Sequence, residues 1–263
     1  MNAGKIRGRF VLAFIAVLGL LFAASCSDTG TTDFPDDPAK SLVAKSVKAL
    51  GGEKKMTGWR TRTEKGLLMS NWQGWGELRA DCTQLIKKPD KMKLDQDFSA
   101  YDHPFFFTYY HNAGDVWVMV NLGVRQHPRY TERLTKRMKE VDGIAHYFAT
   151  CDTFFMATDV EDDSLLAAEL FDRVGVVDNG DTVLFDLDKK THYPLRRVEA
   201  GGTTQVLLDD YRKTSGIKMP YHVTVYENGA KTAEYTWDEI TFDAEIDDAV
   251  FEEHRPENTE EPE

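Results

Sequence analysis

Cysteine is scarce in this 263-residue chain: there are three, and none forms a C-x-x-C pair, so no thiol-redox or zinc motif is present. Cations are outnumbered, 32 Lys and Arg against 44 Asp and Glu, for a formal net charge of −12. Binding a phosphate backbone needs clustered Lys and Arg, so nucleic acid is not an expected partner. No apolar run reaches the roughly 20 residues that a membrane-spanning helix requires. Catalytic signatures are missing as well. There is no G-x-S-x-G elbow, phosphate-binding loop or dinucleotide fingerprint. The seven histidines (His103, His111, His127, His146, His192, His222, His254) are scattered, with no H-x-x-x-H or H-E-x-x-H pair. The carboxylate run Asp159-Val160-Glu161-Asp162-Asp163 lacks the Gly-spaced ligands of a calcium loop and reads as a solvated loop. The expectation is a protein that is not an enzyme and holds no metal or cofactor.

What is present begins with an address. Met1 to Arg9 is basic, and Phe10 to Ala24 is an apolar run of 15 residues. That length suits the core of a signal peptide rather than a membrane span. The run ends Leu21-Phe22-Ala23-Ala24-Ser25-Cys26, which resembles the lipobox of bacterial lipoproteins. The resemblance implies that residues 1–25 are removed and that Cys26 is lipidated and holds the protein to a membrane. One acyl chain anchors marginally, and two or three anchor stably. Ser27 stands where an Asp would retain a lipoprotein at the inner membrane, which favours the outer membrane. Residues 26–37, with four Asp, read as a flexible acidic tether, and residues 252–263, with six Glu, as an acidic tail.

The segment 38–251 reads as one domain. Asp37 and Pro38 open a helix whose Leu42, Val43, Val47 and Leu50 share a face, and Gly51-Gly52 close it. A second helix is expected over about 128–149, with Tyr130, Leu134, Met138, Val141, Ala145 and Phe148 as its stripe and Gly143 as a weak point. Strands are expected at 59–70, 76–87, 91–97, 105–111, 116–121, 169–177, 182–187, 193–199, 204–213, 219–227 and 232–242. The turns Asn112-Ala113-Gly114-Asp115, Asp178-Asn179-Gly180-Asp181 and Glu227-Asn228-Gly229-Ala230 carry hairpin chemistry. The fold class is therefore α+β: a large antiparallel sheet that curls around helices to bury one face. Cys82 and Cys151 invite a disulfide in an exported chain, closing a loop of about 70 residues worth roughly 4 kcal/mol. The alternative is two buried thiols.

Several stretches, in order, resemble the periplasmic superfamily of lipoprotein carriers, lipoprotein receptors and sigma-factor regulators (LolA, LolB and RseB). They are Ala49-Leu50-Gly51-Gly52, Gly114-Asp115-Val116-Trp117, Phe185-Asp186-Leu187-Asp188 and Tyr193-Pro194-Leu195-Arg196. Asp210-Tyr211-Arg212, Gly216-Ile217-Lys218-Met219-Pro220 and Ile246-Asp247-Asp248-Ala249-Val250-Phe251 follow. The resemblance implies an incomplete β-barrel wrapped around two or more helices, with an apolar concave surface able to hold acyl chains. Pro194 and Pro220 fit the start or edge of a strand.

Aromatics are 11% of the chain. Phe105-Phe106-Phe107-Thr108-Tyr109-Tyr110 and Val116-Trp117-Val118-Met119 are apolar on both faces, more than a one-sided core can hide. The expected lining of a ligand cavity is Trp72, Trp75, Phe105, Phe107, Tyr109, Trp117, Met119, Phe185, Tyr235 and Trp237. Trp72 and Trp75 equally suit a patch for a partner or a membrane. The functional expectation is an anchored envelope lipoprotein that binds a lipid, an acyl chain or a lipoprotein anchor. The alternative is an envelope protein-interaction or sensor module without a ligand.

Overall fold

The computed structural model describes residues 37–72, 76–157 and 165–256. Cys26, the tether, Trp75, the carboxylate run at 159–163 and residues 257–263 lie outside the described residues.

Helix α1 (Pro38–Leu50) starts as its sequence dictates, with the Asp37 carboxylate accepting from the Lys40 amide at 2.8 Å. It buries Ala39, Val43, Ser46, Val47 and Leu50. Gly51 ends it at φ 133°, and a Cβ there would stand 2.6 Å from the carbonyl oxygen of Gly216, so only glycine fits both the turn and the close approach. A short helix, α2 (Glu53–Gly58), follows. The first half of the sheet is then built by β1 (Thr61–Trp72), β2 (Gly76–Lys87), β3 (Lys91–Asp97), β4 (Phe106–Asn112), β5 (Asp115–Val120) and β6 (Gly123–Arg125). Helices α3 (Pro128–Lys139) and α4 (Ile144–Thr150) lead to the second half: β7 (Thr153–Met156), β8 (Phe171–Asp178), β9 (Asp181–Asp188), β10 (Pro194–Val198), β11 (Thr204–Thr214), β12 (Ile217–Glu227) and β13 (Ala230–Phe242). The single helix expected over 128–149 is two helices, because the chain turns at residues 140–143, where Gly143 takes φ 59°. Helix α2 and the short strands β6 and β7 have no sequence signal of the strength that marks the others.

All thirteen strands form one antiparallel sheet in the order β6-β5-β4-β3-β2-β1-β13-β12-β11-β10-β9-β8-β7. Each half is a meander, and the halves join where the first strand pairs with the last. The two edges, β6 and β7, are consecutive in sequence but do not pair. Helices α3 and α4 make the connection from one edge to the other, which sets them across one face. The sheet is curved and open, and helix α1 lies across it, touching β7 and β8 near one edge and β12 four strand spacings from β8. The expected hairpin turns form with paired positive φ: Ala113 and Gly114, Asn179 and Gly180, Asn228 and Gly229. Pro220 lies inside β12 rather than at its start, ahead of His222 where pairing with β13 begins.

One core packs the helices on the sheet around Val43, Val47, Ile144, Tyr147, Phe185 and Leu187. A second, aromatic core lies around Leu68, Phe98, Tyr221, Tyr235 and Trp237. A one-residue bulge sets β1 against β13 at Gly66, where a Cβ would come 2.1 Å from the Thr236 carbonyl oxygen. The bulge keeps Tyr235 and Trp237 on the same face as Ile240. On the outer face, Asp186 takes two hydrogen bonds from Arg173, at 2.6 and 2.9 Å, and one from Arg196 at 2.7 Å. Asp186 is 0% exposed and Arg196 1%.

The outer face of β3–β5 is also covered. The chain after β13 forms a 3-10 turn at Asp248–Phe251 and crosses Tyr110 and Trp117. Asp248 pairs with Lys87 and Lys91, Glu253 with Lys93, and Arg255 with Asp115. Residues 252–255, expected in the acidic tail, are thus part of the folded domain.

Candidate functional site: an amphipathic cavity under helix α3

Helix α3 packs on β4 and β5, while α1 and α4 pack together with α1 against β7 and β8. Between them the inner face of β11–β13 has little cover. No residue of β11 is fully buried, an unusual pattern for a central strand. The uncovered space is a cavity of about 560 Å³, within the range of small-molecule sites. Strand register builds its floor. Leu208 faces Val223, Val223 faces Tyr235 and Tyr235 faces Leu68, and beside this row Val206 faces Val225.

The opposite side is polar. Arg62 and Glu64 occupy inward positions of β1, paired at 3.0 Å, and Glu64 lies directly across from Gln84 of β2. All three are less than a tenth exposed. Arg62 donates to the Val141 carbonyl at 3.0 Å, so the α3–α4 corner is fastened to the sheet. Lys88 fastens the same corner through Asp142 at 2.6 Å while its ammonium lies 3.9 Å from the Trp59 ring centroid. Burial lowers the Lys88 pKa, against the pull of Asp142. On the far side Glu140 accepts from Arg197 and, at 2.6 Å, from the Tyr147 hydroxyl. Burial, then the Glu140 carboxylate, pushes that hydroxyl's pKa up. Helix α3 supplies Arg129, Arg133, Lys136 and Arg137 to the wall. Arg137 donates to Gln84, and its guanidinium lies 5.8 Å from the Tyr235 ring centroid. The arrangement sets an apolar floor beneath a largely cationic roof. Among the described residues no group of three or more His, Cys, Asp or Glu could hold a metal ion.

Of the cavity residues expected from sequence, Phe185, Tyr235 and Trp237 line the space. Phe105, Phe107 and Tyr109 do not. They extend the aromatic core, with Phe105 stacked on Phe98 at 4.5 Å and Tyr109 meeting Tyr130 of α3 at 5.8 Å. Burial pushes the Tyr109 hydroxyl up to about 12. Trp117 and Met119 are corrected outright. They alternate with Val116 and Val118 and so point to the outer face, where Trp117 stacks on Tyr110 at 5.0 Å and donates to the Glu253 carbonyl at 3.1 Å. Trp72 ends β1, and Trp75 lies outside the described residues. The disulfide is not formed. Cys82 and Cys151 are free buried thiols held in separate cores, and burial pushes Cys82 up to about 12.

The sequence reading missed the buried polar group Arg62, Glu64 and Gln84, the valines of the floor and the α3 cations. The last had a signal: Arg129, Arg133 and Arg137 recur every fourth residue.

No family model and no curated protein matches the chain. Solved structures do. A DUF1329 family protein from Desulfovibrio piger aligns over 82% of this chain and 98% of its own, at 14% identity and TM-score 0.54. A LolA superfamily protein from Nitrosomonas europaea aligns over 81% and 96%, at 10% identity and TM-score 0.50. A domain from Vibrio parahaemolyticus described as an outer membrane lipoprotein-sorting protein aligns over 80% and 97%, at 13% identity and TM-score 0.49. The first two alignments, each over four-fifths of this chain, show a shared fold, and the fold of this chain is LolA-like.

Proposed function

We propose that this protein is an envelope lipoprotein, anchored by lipidated Cys26 after removal of residues 1–25, that binds an apolar ligand in the cavity and acts in lipid or lipoprotein transport. The observation that carries the reading is the floor of β11–β13. Val206, Leu208, Val223 and Val225 stay half-buried inside a cavity of about 560 Å³. A ligand that covers them gains about 25 cal/mol per Å² of apolar surface removed from water, with no chemical step required. The LolA-like fold is consistent with this use, and the lipobox-like terminus supplies the anchor. No helix among the described residues is long and apolar enough to cross a membrane.

Native mass spectrometry of protein purified from membranes tests the cavity. Lipid or fatty acid that travels with the protein and is released by solvent supports the reading. Ligand-free protein that also fails to take up a fluorescent fatty acid refutes it, and a protein partner recovered by cross-linking would then favour the sensor-module alternative. Anchoring has its own test. Cys26→Ser is expected to move the protein from the membrane to the soluble fraction, and an unchanged distribution refutes the anchor.

A further inference from the structure

The charge of the cavity roof names the ligand's head, on the reading that the cavity binds an apolar chain. Helix α3 carries Arg129, Arg133, Lys136, Arg137 and Lys139 against one carboxylate, Glu132, in a chain whose net charge is −12. The spacing of Arg129, Arg133 and Arg137 sets them on one helix face, and all three line the cavity. The carboxylates nearby are engaged elsewhere. Glu199 holds Lys136 and Arg197, Glu140 holds Arg197, Asp142 holds Lys88, and Glu64 holds Arg62. Glu132 and Glu227, the other acidic residues of the lining, pair with none of the three arginines, which form no ion pair among the described residues. Arg137 reaches only the neutral amide of Gln84 and the face of Tyr235, beside the apolar floor.

We propose that the cavity selects an anionic amphiphile. Its chain lies along Val206, Leu208, Val223 and Val225, and its carboxylate or phosphate head meets Arg133 and Arg137. A guanidinium fork matches the paired oxygens of either head, and each bond is charge-assisted. A neutral or cationic head would leave the arginines unanswered.

The test is a titration of the Cys26→Ser protein, followed by the fluorescence of the cavity tryptophans Trp59 and Trp237. Four probes share one dodecyl chain and are used below their micelle concentrations: laurate, dodecyl phosphate, dodecyldimethylamine N-oxide and dodecyltrimethylammonium. The anionic probes are expected to bind about tenfold tighter than the N-oxide, as charge-assisted bonds require, and the trimethylammonium probe weakest. In Arg133→Gln/Arg137→Gln, with unchanged circular dichroism, the anionic advantage should fall below threefold. Laurate against dodecyl phosphate separates a fatty-acid head from a phospholipid-type head. Equal affinity for all heads overturns the anionic selection and leaves the apolar cavity standing. Failure of every probe to bind the folded protein overturns the cavity reading itself.

Discussion

Asp186→Asn is the sharpest test of the packing described above. The carboxylate is 0% exposed and is the common acceptor of Arg173 and Arg196, which reach it at 2.6 and 2.7 Å from strands on either side. Phe171 lies 5.4 and 5.8 Å from the two guanidiniums, so little water can replace the lost charge. The substitution keeps the shape and leaves the buried Arg196 and the half-buried Arg173 facing a neutral amide. Removing one partner of a buried ion pair costs about 3–5 kcal/mol, and at 0–1% exposure for Asp186 and Arg196 no discount for solvent applies. For a domain of this size that is a fall in Tm of roughly 6–20 °C. Urea unfolding followed by circular dichroism gives the number directly, provided the m-value is unchanged. A midpoint equivalent to less than 1 kcal/mol of loss would refute the argument. The companion variant Arg173→Met/Asp186→Leu/Arg196→Met removes all three charges and is expected to recover most of the stability, since an apolar replacement leaves no charge stranded.

Gly66→Ala, which drives a methyl into the Thr236 carbonyl at 2.1 Å, should cost about 1–3 kcal/mol of thermal stability by overpacking; a neutral effect would mean that the bulge is not fixed. In Cys26→Ser protein, Cys82 and Cys151 should resist a thiol reagent at neutral pH until denaturant is added, because burial raises both thiols; rapid labelling of folded protein contradicts this. Lys87 and Lys91 hold Asp248 below its ordinary 3.8, and Lys93 holds Glu253 below its ordinary 4.5. The stability these carboxylates lend to the C-terminal strap is therefore full above those values and lost as pH falls through the lower, folded ones. Trp117 emission should change under acid below about pH 4 before far-ultraviolet dichroism does, and coincident transitions count against an independent strap. Each methylene added to a short-chain carboxylate probe should tighten binding about fourfold until the cavity is full, and affinity flat with chain length would show that the floor makes no contact.

Strand positions were legible through alternation along the strands and, at turns such as 112–115, 178–181 and 227–230, through Asn and Gly as well. Residues 91–97 and 76–87 match to the residue. The site was less legible, for a physical reason. Alternation shows that Trp117 and Val116 point opposite ways, but which face meets the helices depends on the path of α3 and α4 from edge to edge, and that path has no local signature. Trp117 was thus assigned to a cavity it turns away from. The bulge at Gly66 likewise shifts the phase of β13 against β1, so Arg62 and Glu64 cannot be placed beside the cavity from spacing alone. The disulfide expectation rested on an even count of cysteines. Counting ignores distance, and the two thiols belong to different cores.

The pairing of the first strand with the last has a consequence for how the chain matures. As the chain folds, β1 to β6 can assemble as a local meander, but β1 keeps one side bare until β13, more than 150 residues later, joins it. Such distant pairings form slowly, and a bare strand flank invites pairing with other chains. The residues that β1 shows in that interval include Arg62, Glu64 and Lys65, charges that discourage a stray strand from docking. Two of the groups that later line the cavity thus also guard the folding chain at its most vulnerable seam.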